Sequence, residues 1–400
     1  VEHSRSVLSA TTVRRVVTTL AVVLAVLLTS GWLHRTGTVE PDGYTGQLQA
    51  WREDRITGTP LPDPLAGPQA VADFFGSVGY RKQVLLAERH PLVVGNLGGV
   101  PTEIRYAANR NALAAARDRE QLRSHDPRLS AAGRHDAARR VHRLSSLLAE
   151  GRQILAFDPA GSGRVAEVVG DLDEAERISV VVPGVDTDLL TFERTRLRYR
   201  APAGMARALH AQQREADPDR RTAVIAWADY TAPRGVKVSA ATAGPAEEGA
   251  RRLTAAVTAL PGNATVALFC HSYGSVVCGL AAGGLPDRVT DIAVAGSPGV
   301  RAAHAEELGT RARIWAARSP ADWIGDLPHL AVGPLGHGPD PADPAFGALP
   351  VAAQEVPGHG GYFLPGTDSL TGFGRIGAGL VDRAARGGEG PYCVPRGLPT

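Results

Sequence analysis

The period of apolar positions changes several times along this chain. Residues 16–28 are almost unbroken apolar, and the run extends through Leu33. Residues 36–68 carry no period and are dense in Pro, Gly and Thr, which predicts a linker. Between 69 and 150 the spacing turns helical. Val71, Phe74, Phe75 and Val78 share one face, a turn-rich break covers 90–101, and helices are predicted over 104–123 and 127–149. From Gln153 onward, short β-branched runs alternate with helical stretches. Strands are expected at 154–158 and 165–169, paired as a hairpin across a Gly-Ser-Gly turn, then at 178–182, 223–227, 266–269, 292–295, 312–316 and 349–356. Helices are expected near 190–213, 246–259, 275–282 and 369–385. This alternation predicts βαβ units and a mostly parallel sheet, an α/β fold with flanking helices.

One junction carries more than pattern. The buried run 266–269 breaks into Cys270, His271, Ser272, Tyr273 and Gly274, and a small-residue helix follows at once. Strand, sharp turn with a central Ser, then helix is the setting of a nucleophile elbow. The strained turn lifts the Ser272 hydroxyl clear of the sheet. The positions two before and two after it must be small, because strand and helix nearly touch there. Gly274 meets that demand, and Cys270 stands where Gly is usual. His271, next to the nucleophile, is expected to point away from it and pack.

Composition narrows the class. Apolar residues make up 44% and charged residues 21% of 400, so the chain is globular, and a formal net charge of +2 gives no footing for nucleic acid. The basic residues are nearly all Arg, with only Lys82 and Lys237 besides. Along the two long helices Arg alternates with Asp and Glu, which reads as a solvated face. Arg5, Arg14 and Arg15 precede the apolar run, and His34 and Arg35 follow it. That order predicts a signal or single-pass anchor over 1–35, with the remainder outside the cytoplasmic membrane or secreted.

A serine nucleophile needs a base, an orienting acid and an oxyanion hole. Asp322 emerges just after the strand at 312–316, with Asp326 as the second candidate. Of the three downstream histidines, His359 follows the last predicted strand between glycines; His337 precedes that strand, and His329 is earlier still. The order Ser272, Asp322, His359 is the one expected. The oxyanion donors are predicted to be the amides of Tyr273 and Val185, the latter beside Gly184 in the loop after 178–182. No metal-ligand spacing is present, and Asp340 and Asp343, each followed within two residues by Pro, read as turn formers. No cofactor is implied. The three cysteines leave two readings: a Cys270–Cys278 bond pinning strand to helix, or buried thiols acting as small apolar residues. Cys393 offers an alternative partner.

Taken together, Asp158-Pro-Ala-Gly-Ser-Gly-Arg164, Val181-Val-Pro-Gly-Val-Asp-Thr187, His271-Ser-Tyr-Gly-Ser275, Ala295-Gly-Ser-Pro-Gly299, His337-Gly-Pro-Asp-Pro341 and Gly358-His-Gly-Gly-Tyr-Phe363 resemble the actinobacterial α/β-hydrolases long carried as a domain of unknown function. The stretch 90–101 with Ala108-Asn-Arg110 resembles the helical region preceding the core in that group. The chain departs from it at Cys270 and at Gly98, where an acidic residue is common. The resemblance implies an α/β-hydrolase fold with Ser272 as nucleophile and supports Asp322 and His359. The expected organisation is a signal or anchor segment (1–35), a linker (36–68), a helical segment and candidate cap (69–150), a catalytic domain (151–386) and a tail (387–400). The expected activity is hydrolysis of a small-molecule or lipid-like carboxylic ester. Acyl transfer to an envelope acceptor, or a non-catalytic envelope binding protein on the same fold, are the alternatives.

Overall fold

The computed structural model describes residues 43–235, 240–327, 329–332 and 335–381. The apolar run at 16–33, the tail at 387–400 and Cys393 lie outside the described residues. Among the described residues no helix is long and apolar enough to cross a membrane.

An eight-stranded sheet organises the chain. Its strands are β1 (Gln153–Asp158), β2 (Arg164–Val169), β3 (Arg177–Val182), β4 (Thr222–Ala228), β5 (Thr265–His271), β6 (Val289–Ala295), β7 (Arg313–Ala317) and β8 (Leu349–Pro350). They lie in the order β8-β7-β6-β5-β3-β4-β2-β1. Only β2 runs against its neighbours; β3 to β8 are parallel. The central strands are buried on both faces, as continuous Val, Ile, Leu and Ala runs require. The chain passes from β3 outward to β4, then returns to place β5 on the other side of β3. Ligands in open parallel sheets bind at the carboxyl ends of strands where the order reverses in this way.

The helices that matter here are α1 (Tyr44–Glu53), α2 (Pro68–Ser77), α3 (Tyr80–Arg89), α4 (Thr102–His125), α5 (Ala131–Leu147), α6 (Pro202–Ala216), α7 (Gly244–Thr258), α8 (Gly274–Ala281) and α9 (Asp368–Ala378). The helical segment has a specific task. Strand β1 is the sheet edge, and its exposed backbone groups would otherwise be open to another strand. Side chains of this segment satisfy them: Asn96 pairs with both the N–H and C=O of Phe157, Asn109 donates to the Ile154 carbonyl, and Arg105 donates to the Leu155 carbonyl. The segment therefore flanks the sheet edge. Among the described residues, none of its hydrogen bonds reaches Ser272, Asp322 or His359.

Several expectations need correction. Part of the predicted linker is folded: α1 spans Tyr44–Glu53, Trp51 is buried and donates to the Pro62 carbonyl, and Gln47 accepts from the Leu92 amide. Its apolar positions are too sparse to stand out among the surrounding prolines. The helix expected over 190–213 begins only at Pro202. Asp188 captures the amides of Leu190 and Thr191, Leu197 is left-handed, and Pro202 fixes the start of α6. The strand expected over 349–356 reduces to Leu349–Pro350; farther on, the Gln354 amide turns to Asp368. Helix α9 stops at Ala378, where Gly379 takes φ +79°.

Candidate active site

Ser272 follows β5 with φ +56°, a left-handed conformation that costs a non-glycine residue energy and lifts its side chain out of the sheet. The turn is held by the Ser272 amide donating to the Ala295 carbonyl (2.9 Å) and the Ser275 amide donating back to Ser272 (2.9 Å). Its tightness explains the small neighbours. A Cβ on Gly274 would stand 2.3 Å from the Val182 carbonyl oxygen, and one on Gly184 would stand 2.6 Å from the Ser272 Cβ. Cys270 is bonded to Cys278, with Cα atoms 6.4 Å apart, so the position usually held by Gly is filled by a disulfide tying β5 to α8. Of the two cysteine readings, the elbow bond is the one present.

Three side chains from three loops converge. His359 Nε2 lies 2.9 Å from Ser272 Oγ, and His359 Nδ1 lies 2.9 and 3.1 Å from the two oxygens of Asp322. Asp322 also accepts from the Ile324 amide (3.0 Å) and from the Tyr362 hydroxyl (2.7 Å). Burial works to raise its pKa, but the bonds from His359, the Ile324 amide and Tyr362 outweigh it and hold the carboxyl below the ordinary range. Asp322 is therefore an anion at neutral pH, facing the imidazole. Asp326, by contrast, ends an exposed turn.

The remaining histidines are placed elsewhere. His337 is buried behind the elbow, its Nε2 donating to the Ala240 carbonyl (2.7 Å) and its ring set edge-on to Tyr273. His329 lies 4.0 Å from Asp340. Asp340 also pairs with Arg318, and both Asp340 and Asp343 accept from amides two residues on, as turn formers do. No group of metal-ligating side chains occurs among the described residues.

The loop after β3 is braced against the nucleophile. Tyr230 donates to the Pro183 carbonyl (2.6 Å), and the Asp186 amide donates to the Pro233 carbonyl (2.8 Å). Gly184 then lies against Ser272, and the amides of Val185 and Tyr273 have no acceptor among the described residues. Two unpaired donors flanking a serine suit an oxygen that gains negative charge.

Three contributors were missed in the sequence. His271 does more than pack: its Nε2 donates to the backbone carbonyl of His359 at 2.6 Å, with the two rings 4.9 Å apart. Burial, with His359 beside it, lowers the His271 pKa to about 4, so it is a neutral brace. Tyr362 orients Asp322 while its hydroxyl accepts from the Ser319 amide (3.0 Å). Gly296, at φ +54°, leaves the space beneath the cluster, since a Cβ there would meet Asp322 at 2.7 Å and His359 at 3.1 Å. Tyr362 and Gly296 sit inside motifs visible in the sequence, but nothing in the spacing assigns them these contacts.

A family model described as alpha/beta hydrolase matches residues 158–332. An uncharacterized protein of Mycobacterium tuberculosis is 28% identical over a 435-residue alignment covering 90% of this chain and 63% of the relative, so the chain spans a little under two thirds of that relative's length. An uncharacterized protein of Mycobacterium bovis is 33% identical over 221 residues, covering 52% of this chain and 75% of the relative. Among solved structures, an α/β serine hydrolase without a lid from Xanthomonas campestris aligns with a TM-score of 0.29 at 15% identity, covering 44% of this chain and 74% of that one.

Proposed function

The chain belongs to the alpha/beta hydrolase family, with mycobacterial relatives, and from that premise we propose that it is a serine hydrolase acting on carboxylic esters. The observation that carries the reading is the continuous path from Ser272 Oγ through the His359 ring to the Asp322 carboxylate. Ser272 Oγ attacks the acyl carbon as His359 Nε2 takes its proton. Asp322 accepts the Nδ1–H bond and stabilises the imidazolium that forms. The carbonyl oxygen, now anionic, is held by the Val185 and Tyr273 amides. Collapse breaks the bond to the alcohol oxygen, which leaves with the proton from His359, and the acyl group stays on Ser272. A water then gives a proton to His359 and attacks the ester. The second collapse returns that proton to Ser272 and releases the carboxylic acid.

Hydrolysis of p-nitrophenyl butyrate by the full chain tests this. Ser272→Ala and His359→Ala are each expected to lower kcat by on the order of 10³ or more, whereas His337→Ala costs far less. A wild-type chain without turnover on short acyl esters, or a larger loss at His337 than at His359, contradicts the proposal.

A further inference from the structure

A cavity of about 640 Å³ lies between the helical segment and the β1 edge of the sheet. None of the triad or oxyanion residues lines it. Its volume falls within the roughly 300–1,000 Å³ of small-molecule sites. The walls are largely apolar: Leu48 from α1, Leu97, Leu155 from β1, Trp227 from β4 and Ala256 from α7. Leu97 and Leu155 belong to the buried cores and Trp227 is only 2% exposed, so the wall is built by the fold itself.

The charges around this space do not balance. Asp229 is matched by Arg252, with Nη2 at 2.7 Å, and has Arg164 Nε at 3.7 Å. Arg52 also lines the cavity, and it is exposed to solvent. Arg105 is half-buried and lines the cavity with no carboxylate in salt-bridge reach among the described residues. Its Nη2 donates to Leu155 at 2.9 Å and its Nε to Gly95 at 3.4 Å, while Nη1 has no protein acceptor among the described residues. Burial lowers the pKa of Arg105 to about 10, with Tyr106 and Asp229 acting in the opposite direction, so it remains a cation at neutral pH. An apolar chamber whose one partly buried, unmatched guanidinium is Arg105 suits a ligand with an apolar body and a negative end.

We propose that the cavity is a second binding site, separate from Ser272, for a small amphiphilic carboxylate whose head group pairs with Arg105 and whose chain lies against Trp227 and Ala256. The assignment does not depend on the proposed esterase activity.

The test uses the full chain with decanoate, with decanol as the uncharged control, and a diazirine-bearing decanoate to locate the site. Wild type is expected to bind decanoate and to carry the photolabel on residues 44–52, residues 96–98 or Trp227. Arg105→Lys keeps binding within a few-fold. Arg105→Gln weakens decanoate by about ten- to a hundredfold, the usual range for a charge-assisted hydrogen bond, and leaves decanol unchanged. Because Arg105 also supports the sheet edge, Ala256→Trp supplies an independent arm: it fills the chamber from α7, leaves Arg105 and its bond to the Leu155 carbonyl in place, and abolishes the cavity label. Absence of decanoate binding in wild type, a label confined to the Ser272 loops, or equal labelling of wild type and Ala256→Trp would overturn the assignment.

Discussion

The bond between Cys270 and Cys278 makes a quantitative prediction, because it replaces a glycine in the tightest part of the elbow. It closes a loop with a sequence separation of 8. A cross-link over a loop of that length removes roughly 8 cal/mol/K from the unfolded chain, or about 2.5 kcal/mol at 25 °C. Truncating one buried sulfur side chain to Ala adds about 1 kcal/mol. Either single substitution, Cys270→Ala or Cys278→Ala, therefore costs about 3–4 kcal/mol. The double substitution adds only about 1 kcal/mol to that, since the cross-link is lost once. With roughly 330 described residues and about 2.1 cal/mol/K of unfolding entropy per residue, the cross-link alone corresponds to a Tm change of about 3–4 °C. Thermal and urea unfolding of the four proteins measure the cycle, and alkylation of non-reduced, denatured wild type should leave both residues unmodified. Two small, additive losses with both cysteines alkylated would rule out the cross-link and return the two residues to the role of small apolar side chains.

Two further perturbations bear on the elbow and its brace. His271 has its pKa lowered to about 4, below the 6.5 of an exposed imidazole, so between those values the unfolded chain takes a proton that the folded chain refuses. Its contribution is intact above about pH 6.5 and lost as pH falls toward 4, by about 3 kcal/mol; His271→Gln should flatten stability across that window, and an unchanged slope would count against it. Gly274→Ala places a Cβ 2.3 Å from the Val182 carbonyl, so a loss of about 1–3 kcal/mol together with weakened reactivity at Ser272 is expected in unfolding and labelling assays, and a neutral substitution would contradict the packing described.

What the sequence made legible is what physical chemistry writes locally. The β-branched runs gave the strands, because a strand buried on both faces must be apolar throughout. Ser272 between a strand and a small-residue helix was readable for the same reason, and chain order singled out Asp322 and His359 as partners. The less legible features depend on contacts far apart in sequence. The role of Asn96, Arg105 and Asn109 in closing the β1 edge appears only once the helical segment is laid beside that strand. Tyr362 and His271 act on Asp322 and His359 through single hydrogen bonds that no periodicity encodes. The helix at Tyr44–Glu53 was hidden because one buried Trp51, not an apolar stripe, holds it. Spacing allowed the elbow disulfide but did not choose between a bond and two thiols.

Whether Ser272 is an activated nucleophile is read out by active-site labelling. The full chain is treated with a fluorophosphonate probe, alongside Ser272→Ala and His359→Ala, and the modified peptide is mapped. One label is expected, on Ser272, absent from Ser272→Ala and slowed by on the order of 10³ or more in His359→Ala, with all three proteins folded. Equal labelling of wild type and Ser272→Ala, or no labelling of a folded wild type, would contradict it.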